Sequence, residues 1–383
     1  MMMCHNAADF PQGRAWIELD RSALLHNVRV LRALLPKGCE LMPAVKANAY
    51  GHGAALVAGE LQRAGIGSFC VASAAEAVEL RKAGITGEIL ILGYTHPRQF
   101  SLLRHFHLTQ TVLDHDYAEL LNRSGRKIDV HIKIDTGMHR LGERCEHIDH
   151  LKKIFSCDNL RITGAYTHLC TSDKSSPREE AFVSVQTQAF YEAIAKLREQ
   201  GCVCPKVHVL ASYGLVNYPE IGGDYARIGI ALYGMLSTRE DTEECARKTG
   251  LRPVLSLKAR IISVKDVFAE ESAGYGLQFT AQRDGKIAVA AVGYADGLPR
   301  SLSCGAGEVL IRGKRAPVVG RVCMDQTLID VTEIPDAEAG DIAVFIGKSG
   351  EEEITACDLA EEADTISNEI LSRLGARLKR IMI

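Results

Sequence analysis

The first two thirds of the chain alternates between helical spacing of apolar residues and short apolar runs that are typical of buried strands. Leucine and valine recur every three or four positions between residues 24 and 35, which predicts an amphipathic helix that ends at Pro36. One strand then ends at Lys46. Seven further strands are predicted near 68–72, 88–92, 108–113, 128–134, 161–168, 206–210 and 224–230.

Helical stretches, such as those at 73–83 and 177–200, separate most of these strands, so the repeating unit is a strand followed by a helix. Eight such units in about 220 residues fit a closed (β/α)₈ barrel better than an open doubly wound sheet. We therefore predict an α/β barrel domain at residues 21–246. Its catalytic side chains should lie at the C-terminal ends of the strands, where Lys46 falls.

After residue 246 the helical spacing gives way to β-rich runs separated by glycine, proline and aspartate. This pattern predicts a second, mostly β domain at 247–383 with one helix near 358–374. A strand at 14–20 falls outside the barrel count and is expected to join this domain. The predicted strands of the second domain are 255–267, 286–294, 308–312, 316–322, 327–331 and 341–346.

Composition narrows the classes of partner. The formal net charge of −3 offers no basic surface for nucleic acid or an acidic membrane, so small molecules are the expected partners. The twelve cysteines are scattered, and the close pair Cys202 and Cys204 has the wrong spacing for a zinc or redox motif. No metal site is predicted. No apolar run approaches eighteen residues, and we expect a cytoplasmic protein.

Lys46 is the first candidate for chemistry. A lysine at the mouth of a buried strand loses water, which disfavours its ammonium form and makes the amine a candidate nucleophile. Taken alone, such a lysine is more often the partner of an ion pair. Its neighbours change that estimate.

Six segments in order along the chain resemble the motifs of alanine racemases and related fold-type III pyridoxal phosphate enzymes. The resemblance covers nearly the whole chain and is specific because independent segments agree. The segments are AVKANAYGHG (44–53), DTGMHRLG (135–142), RIGIALYG (227–234), AGYG (273–276), VGYADG (292–297) and GRVCMDQ (320–326).

This resemblance implies a pyridoxal 5′-phosphate enzyme with two acid/base groups. Lys46 would bind the cofactor covalently and act on one face of the substrate Cα, and Tyr275 would act on the other. Arg227 would face the pyridine nitrogen. His208 would brace Arg227, and His168 would stack on the cofactor ring.

The resemblance also implies which residues bind the cofactor phosphate and which bind the substrate carboxylate. The cofactor phosphate would be held by the backbone N–H groups of Gly229 and Ile230 and by the hydroxyls of Ser212 and Tyr50.

The substrate carboxylate would bind Arg140 and the backbone at Met324. Lys133 aligns with a lysine that is carbamylated in many relatives and steadies that arginine; a plain lysine or a bound anion would serve as well. Tyr294 and Asp325 are expected to support the site.

Two positions depart from the family pattern. Ala211 stands where an asparagine usually precedes the phosphate serine, so one polar contact is lost. Asn368 stands where a tyrosine usually narrows the pocket. The second exchange resembles the membrane-bound serine/alanine racemases of glycopeptide (vancomycin) resistance, whose catalytic module is attached to a membrane domain. Neutral drift is the alternative.

The sequence therefore predicts a serine/alanine racemase of the kind found in glycopeptide resistance, which supplies D-amino acid for peptidoglycan precursors. It would be a homodimer with shared active sites and without membrane contact by this chain, or the cytosolic domain of a membrane-anchored protein. An ordinary alanine racemase, a fold-type III decarboxylase and a non-catalytic cofactor carrier are the alternatives. Arg227 argues against the decarboxylase, because decarboxylases use a carboxylate at the ring nitrogen. Tyr275 argues against the carrier.

Overall fold

Most strands belong either to a closed parallel barrel or to a nine-stranded, largely antiparallel sheet. The structure is a computed structural model that describes residues 13–173 and 176–383. The first strand, β1 (Ala15–Leu19), belongs to the nine-stranded sheet. The barrel strands are β2 (Glu40–Leu41), β3 (Ser68–Val71), β4 (Glu88–Ile91), β5 (Thr109–Val112), β6 (Ile128–Asp135), β8 (Leu160–Tyr166), β9 (Val207–His208) and β10 (Tyr225–Ala226), and the short β7 (Glu143–Arg144) pairs with the end of β6.

The barrel closes through parallel pairing at both ends of the strand series. β10 pairs with β2, and a bridge between Ala44 and Cys70 joins the end of β2 to β3. A parallel bridge between Ala211 and Arg227 joins the segments that follow β9 and β10. The predicted (β/α)₈ barrel is therefore confirmed.

The helices begin where the sequence supplies a cap. Ser73 accepts the N–H of Glu76 at the start of one helix, and Ser176 and Glu179 form a capping box at the start of the longest. The barrel helices are α1 (Arg21–Leu34), α3 (Ala54–Arg63), α4 (Ala74–Lys82), α5 (Phe100–His105), α6 (His115–Asn122), α7 (Ile148–Phe155), α8 (Pro177–Glu199), α9 (Ser212–Asn217) and α10 (Arg239–Thr249), and α2 (Lys46–Tyr50) is a left-handed turn. α10 spans residue 246, where the sequence places the change of domain.

The second sheet has the order β19-β18-β15-β16-β17-β14-β11-β1-β20. β1 lies between two strands from the other end of the chain, antiparallel to β11 and parallel to β20. The mostly β character of this part is confirmed. Its strands are β11 (Leu255–Val267), β12 (Ser272–Ala273), β13 (Phe279–Thr280), β14 (Gly285–Ala290), β15 (Glu308–Ile311), β16 (Lys314–Val319), β17 (Thr327–Asp330), β18 (Ile342–Ser349), β19 (Glu352–Ile354) and β20 (Lys379–Met382), of which β12 and β13 form a separate hairpin.

The single helix predicted at 358–374 is wrong. Two helices occupy this stretch, α11 (Ala356–Glu362) and α12 (Ser367–Ser372). Asp364 has a φ of 51°, a left-handed conformation that ends the first helix. Ser367 then fixes the second, because its N–H donates to Ser237 O and its hydroxyl to Leu236 O.

Across the two described ranges, no helix combines the length and the apolar character needed to cross a membrane.

Candidate active site

A cavity of about 320 Å³ opens at the C-terminal ends of the barrel strands. Parallel barrels place functional side chains at this end, because the loops after the strands meet there. Most of the residues predicted for the site line this cavity: Lys46, Tyr50, Lys133, Arg140, His168, Ser212, Arg227, Gly229, Ile230 and Asn368.

Lys46 begins the left-handed turn α2. Residues 47–50 all have φ between 50° and 56°, a region that costs an L-residue roughly 1–2 kcal/mol. Hydrogen bonds hold this strained backbone in place. Glu76 accepts the N–H of Ala47 (2.8 Å), and the Asn48 side chain accepts the N–H of Ala54 (2.8 Å). The turn fixes the direction in which the Lys46 side chain leaves the strand.

The last residues of the chain close over the same turn. Gly51 has a φ of 80°, and a Cβ there would lie 1.9 Å from the carbonyl oxygen of Leu371. Arg380 donates to the carbonyl of Gly51 (3.0 Å). Glycine is therefore required at position 51, and α12 and β20 form part of the support of Lys46.

The environment of Lys46 favours its neutral amine. Burial lowers the pKa of Lys46, and the positive charge of Arg140 lowers it further. A neutral amine is the form that attacks a carbonyl carbon.

Arg227 is buried, and its hydrogen bonds go to neutral acceptors. It donates to Nδ1 of His208 (2.6 Å) and to the carbonyls of Thr167 (2.6 Å) and Val209 (3.1 Å). In the part of the chain that the structure describes, no carboxylate forms an ion pair with it. Nδ1 of His168 lies 3.5 Å away. The guanidinium therefore keeps its proton and is held rigidly against the cavity.

His131 and Glu88, which lie behind Arg227 and His208, were missed by the sequence predictions. Burial, and then the charge of Arg227, lower the pKa of His208 well below its usual value, so its ring is neutral. His208 accepts at Nδ1 and can donate from Nε2 to Nδ1 of His131 (2.9 Å). Nε2 of His131 lies 3.1 Å from Glu88, although this contact is poorly aligned as a hydrogen bond. The available sequence signal was a histidine in the middle of the predicted strand β6.

An anion cradle lies beside Arg227, at the start of α9. The Ser212 hydroxyl accepts the N–H groups of Gly229 (3.0 Å) and Ala231 (3.3 Å). A Cβ on Gly229 would lie 2.5 Å from the Tyr50 hydroxyl, so a larger residue there would displace the Tyr50 ring. Ala211 is the N-cap of α9 and has no side chain to satisfy the helix N–H groups. This places backbone donors where a phosphate can bind.

Lys133 and Arg140 form the positively charged side of the cavity. Burial, together with the charge of Arg227, lowers the pKa of Lys133 to about 7, and its ammonium donates to the carbonyl of Ile134 (3.0 Å). Arg140 is exposed and lines the cavity from the loop after β6. Asp135 anchors that loop by accepting the N–H of His139 (3.0 Å).

Asn368 reaches the same cavity from α12. Its position follows from Ser367, which bonds the helix start to residues 236–237. The Oδ1 atom of Asn368 is buried, and within the described ranges it has no hydrogen-bond partner. An unpaired buried carbonyl oxygen at a cavity wall is a strong acceptor for a donor on a bound molecule.

Tyr275 and Met324 lie elsewhere. Both border a second cavity of about 560 Å³ on the β domain, and Asp325 borders it as well. Tyr275 is 70% exposed and Met324 is 53% exposed. The structure of one chain therefore does not bring Tyr275 opposite Lys46, nor Met324 beside Arg140.

Tyr294 and Asp325 lie in neighbouring segments beside the cavity that Tyr275 borders. The N–H of Tyr294 donates to the carbonyl of Cys323 (3.0 Å), and Arg377 donates to the Asp325 carboxylate (2.6 Å). The Tyr294 side chain itself faces a third cavity, lined also by Glu369.

A strand-end lysine, an anion cradle and a buried arginine at one end of a barrel define a site of the pyridoxal phosphate class. The family models "Alanine racemase, N-terminal domain" and "Alanine racemase, C-terminal domain" match residues 19–237 and 254–382. The chain belongs to the alanine racemase family.

Two curated relatives carry the same module within longer proteins. An amino-acid racemase of Enterococcus faecalis is 44% identical over 96% of this chain, and a serine/alanine racemase of Enterococcus gallinarum is 38% identical over 96% of it. The chain spans 51% of each of these relatives. An alanine racemase of Clostridium difficile 630 has a similar structure over 97% of this chain and 96% of its own, with a TM-score of 0.90 and 32% identity.

The cofactor of this family is pyridoxal 5′-phosphate. The residues present fit it: Lys46 offers an amine whose pKa is lowered, Ser212 and Gly229 form the cradle, and Arg227 supplies a buried cation. When bound, the cofactor withdraws electrons from the substrate Cα and so makes its proton removable.

Proposed function

We propose that this protein is an amino-acid racemase that interconverts the L and D forms of serine and of alanine. The observation that carries the serine part is the buried, unpartnered Oδ1 of Asn368 at the wall of the Lys46 cavity. A serine hydroxyl can donate to that oxygen, and the short asparagine leaves room for the CH₂OH group. The serine/alanine racemase among the relatives supports the same substrate pair.

Two groups would move the proton. Lys46 takes or returns it on one face of the substrate Cα, and Tyr275 does so on the opposite face. In one chain Tyr275 is exposed and borders a different cavity, so we propose that a second copy supplies it. A symmetric dimer would then contain two such shared sites.

Arg227 would control the outcome of the reaction. A guanidinium at the ring nitrogen cannot transfer a proton to it, which limits how far negative charge on Cα is delocalised. The proton is then returned quickly by Lys46 or Tyr275. This favours racemisation over transamination or decarboxylation.

Arg140 would bind the substrate carboxylate, whose geometry matches the arginine fork. Lys133 lies on the same side of the cavity. Because its pKa is about 7, a substantial neutral fraction exists at physiological pH, which is the form that can react with CO₂ to give a carbamate. We propose that this modified lysine orients Arg140.

An ordinary alanine racemase is the main alternative, and the structural neighbour from Clostridium difficile favours it. This alternative requires that Asn368 has no role in the choice between serine and alanine. A decarboxylase is less consistent with Arg227, and a non-catalytic cofactor carrier leaves Tyr275 without a role.

The test is a direct comparison of substrates. The purified protein, loaded with pyridoxal phosphate, is given L-serine and L-alanine separately, and the D enantiomer is measured by chiral chromatography. We expect kcat/KM values for the two substrates within about 200-fold of each other, because a pocket that tolerates an added hydroxyl discriminates by about 10–200-fold. D-alanine without measurable D-serine would establish the alternative.

The proposed biological role follows from the proposed products. D-Alanine and D-serine would supply peptidoglycan precursors, and D-serine would point to glycopeptide resistance. Expression in a bacterium that lacks its own alanine racemases should restore growth without D-alanine. Deletion in the host should lower the inhibitory concentration of vancomycin; an unchanged value would argue against the resistance role.

A further inference from the structure

A group of histidines surrounds one buried carboxylate beside the N-termini of α6 and α7. Glu143 lies in β7 and is 7% exposed. Its Oε1 atom lies 3.1 Å from Nδ1 of His147 and 3.5 Å from Nδ1 of His150. One ligand atom from each of these three residues lies within 4.8 Å of the others.

The two distances from Glu143 are close to the edge length of a metal coordination shell. Zinc binds imidazole nitrogen and carboxylate oxygen at about 2.0–2.2 Å, so neighbouring ligand atoms of a tetrahedral site are about 3.3 Å apart. The two distances from Glu143 lie on either side of that value. His147 precedes α7 and His150 is in its first turn, so both rings project toward β7.

The carboxylate is already oriented. The second oxygen of Glu143 accepts the backbone N–H of His115 (3.1 Å), which leaves Oε1 directed at the two histidines. The rings of His147 and His150 are each about half exposed, so an ion can enter from solvent. A buried carboxylate with two accessible imidazole rings beside it is a suitable donor set for a cation.

The surrounding charges are mixed. The site is near the N-termini of α6 and α7, whose dipoles disfavour a cation. Three acidic side chains offset them: Asp116 and Asp149 in the first turns of these helices, and Glu119 one turn further on. The His115 ring faces Asp116 and Glu119 at 3.6 Å each and so is not a ligand.

We propose that Glu143, His147 and His150 bind one divalent transition-metal ion, with Zn²⁺ as the expected occupant and water at the fourth position. Imidazole with a single carboxylate suits zinc, nickel or copper, whereas magnesium and calcium require more oxygen ligands. The site does not depend on the racemase proposal.

The ion would join two parts of the barrel next to the substrate cavity. β7 pairs with the end of β6 through Ile134 and Asp135, and Glu143 is three residues beyond Arg140. A bound ion would therefore connect the end of the Arg140 loop to the start of α7.

The experiment uses the holoenzyme without an affinity tag, because a histidine tag would itself bind metal. After dialysis against Zn²⁺ and removal of free ion, elemental analysis should give one more zinc per chain than in the double variant His147→Ala/His150→Ala. Calorimetric titration with Zn²⁺ should show binding weakened at least about tenfold in the double variant. Mg²⁺ at the same concentration should give no binding heat.

His105→Ala is the matched control, since it removes an exposed histidine on another barrel helix. It should keep the full zinc content. Equal zinc content in the double variant and the unmodified protein would overturn the proposal, as would equal zinc loss in the control. Thermal unfolding of the metal-free proteins should be alike, which separates loss of metal from loss of fold.

Discussion

The two regions that carry the candidate acid/base groups are built in opposite ways. Around Lys46 most side chains are buried or half-buried, and they are arranged about a cavity. Around Tyr275 the aromatic and apolar side chains are exposed: Tyr275 is 70% exposed and Leu277 is 68% exposed. Exposed apolar groups in a cluster are typical of an interaction surface. The comparison indicates that the first region is organised within one chain, whereas the second has the features of a surface that would contact a second copy.

The largest loss of turnover is expected from a change in the Lys46 region. Lys46→Ala should reduce turnover by at least about 10³-fold, because covalent cofactor attachment and one acid/base group are lost together. Racemisation and the visible absorbance of the lysine-bound cofactor measure the two losses. Lys152→Ala, an exposed lysine on α7, is the control and should change neither. Full racemase activity in Lys46→Ala would disprove its catalytic role.

A mixing experiment tests whether the second region completes the first. Lys46→Ala and Tyr275→Phe should each be inactive alone, but after subunit exchange the mixture should regain activity, up to about one working site per heterodimer. Exchange is verified by native mass spectrometry of protomers with different isotope labels. No recovery in the presence of verified heterodimers would mean that both groups act within one chain.

Selectivity inside the cavity depends on Asn368. Asn368→Tyr should lower kcat/KM for serine by at least about tenfold, because the ring fills the space of the CH₂OH group and the hydroxyl loses its acceptor. The value for alanine should stay the same or rise, since a methyl group still fits. Equal losses for both substrates would show that Asn368 does not determine selectivity.

The smallest effect on turnover is expected from the exposed surface itself. Leu277→Asp should weaken the dimer, because it places a charge on an apolar contact, while turnover at high protein concentration changes by less than about twofold. Leu277 has a φ of 51°, which aspartate adopts readily, so the fold should be kept. Analytical ultracentrifugation on dilution measures the dissociation constant. Leu120→Asp on the outer face of α6 is the control, and equal weakening by both would contradict an interface at Leu277.

Much of the fold could be predicted because hydrophobic periodicity records which residues are buried. The eight barrel strands and β11 follow from it directly. The break between α11 and α12 could not be predicted, since it depends on a left-handed Asp364 and on the hydrogen bond of the Ser367 hydroxyl to Leu236, 131 residues earlier. Contacts between distant parts of the chain leave little local signal.

The candidate site likewise contains residues that could be predicted from motifs and residues that only the fold brings into place. Lys46, Ser212 and Gly229 lie in motifs that a sequence reader can find, and the cavity brings them together. Glu88 and His131 were missed because Glu88 only opens the apolar strand β4 and His131 is one of several polar residues that alternate along β6. Only the fold places them behind Arg227. The separation of Met324 from Arg140 depends on the arrangement of two domains, which no motif describes.

The left-handed turn at residues 47–50 has a consequence for the order of events during synthesis. Gly51 receives its hydrogen bond from Arg380, 329 residues later in the chain. At about 5–20 residues per second, a ribosome needs roughly 15–65 s to cover that distance. During this time the strained turn lacks one of its supports, and Lys46 is present but not fixed. Stable cofactor capture is therefore expected only after Arg380 has been synthesised and β20 has docked beside β1.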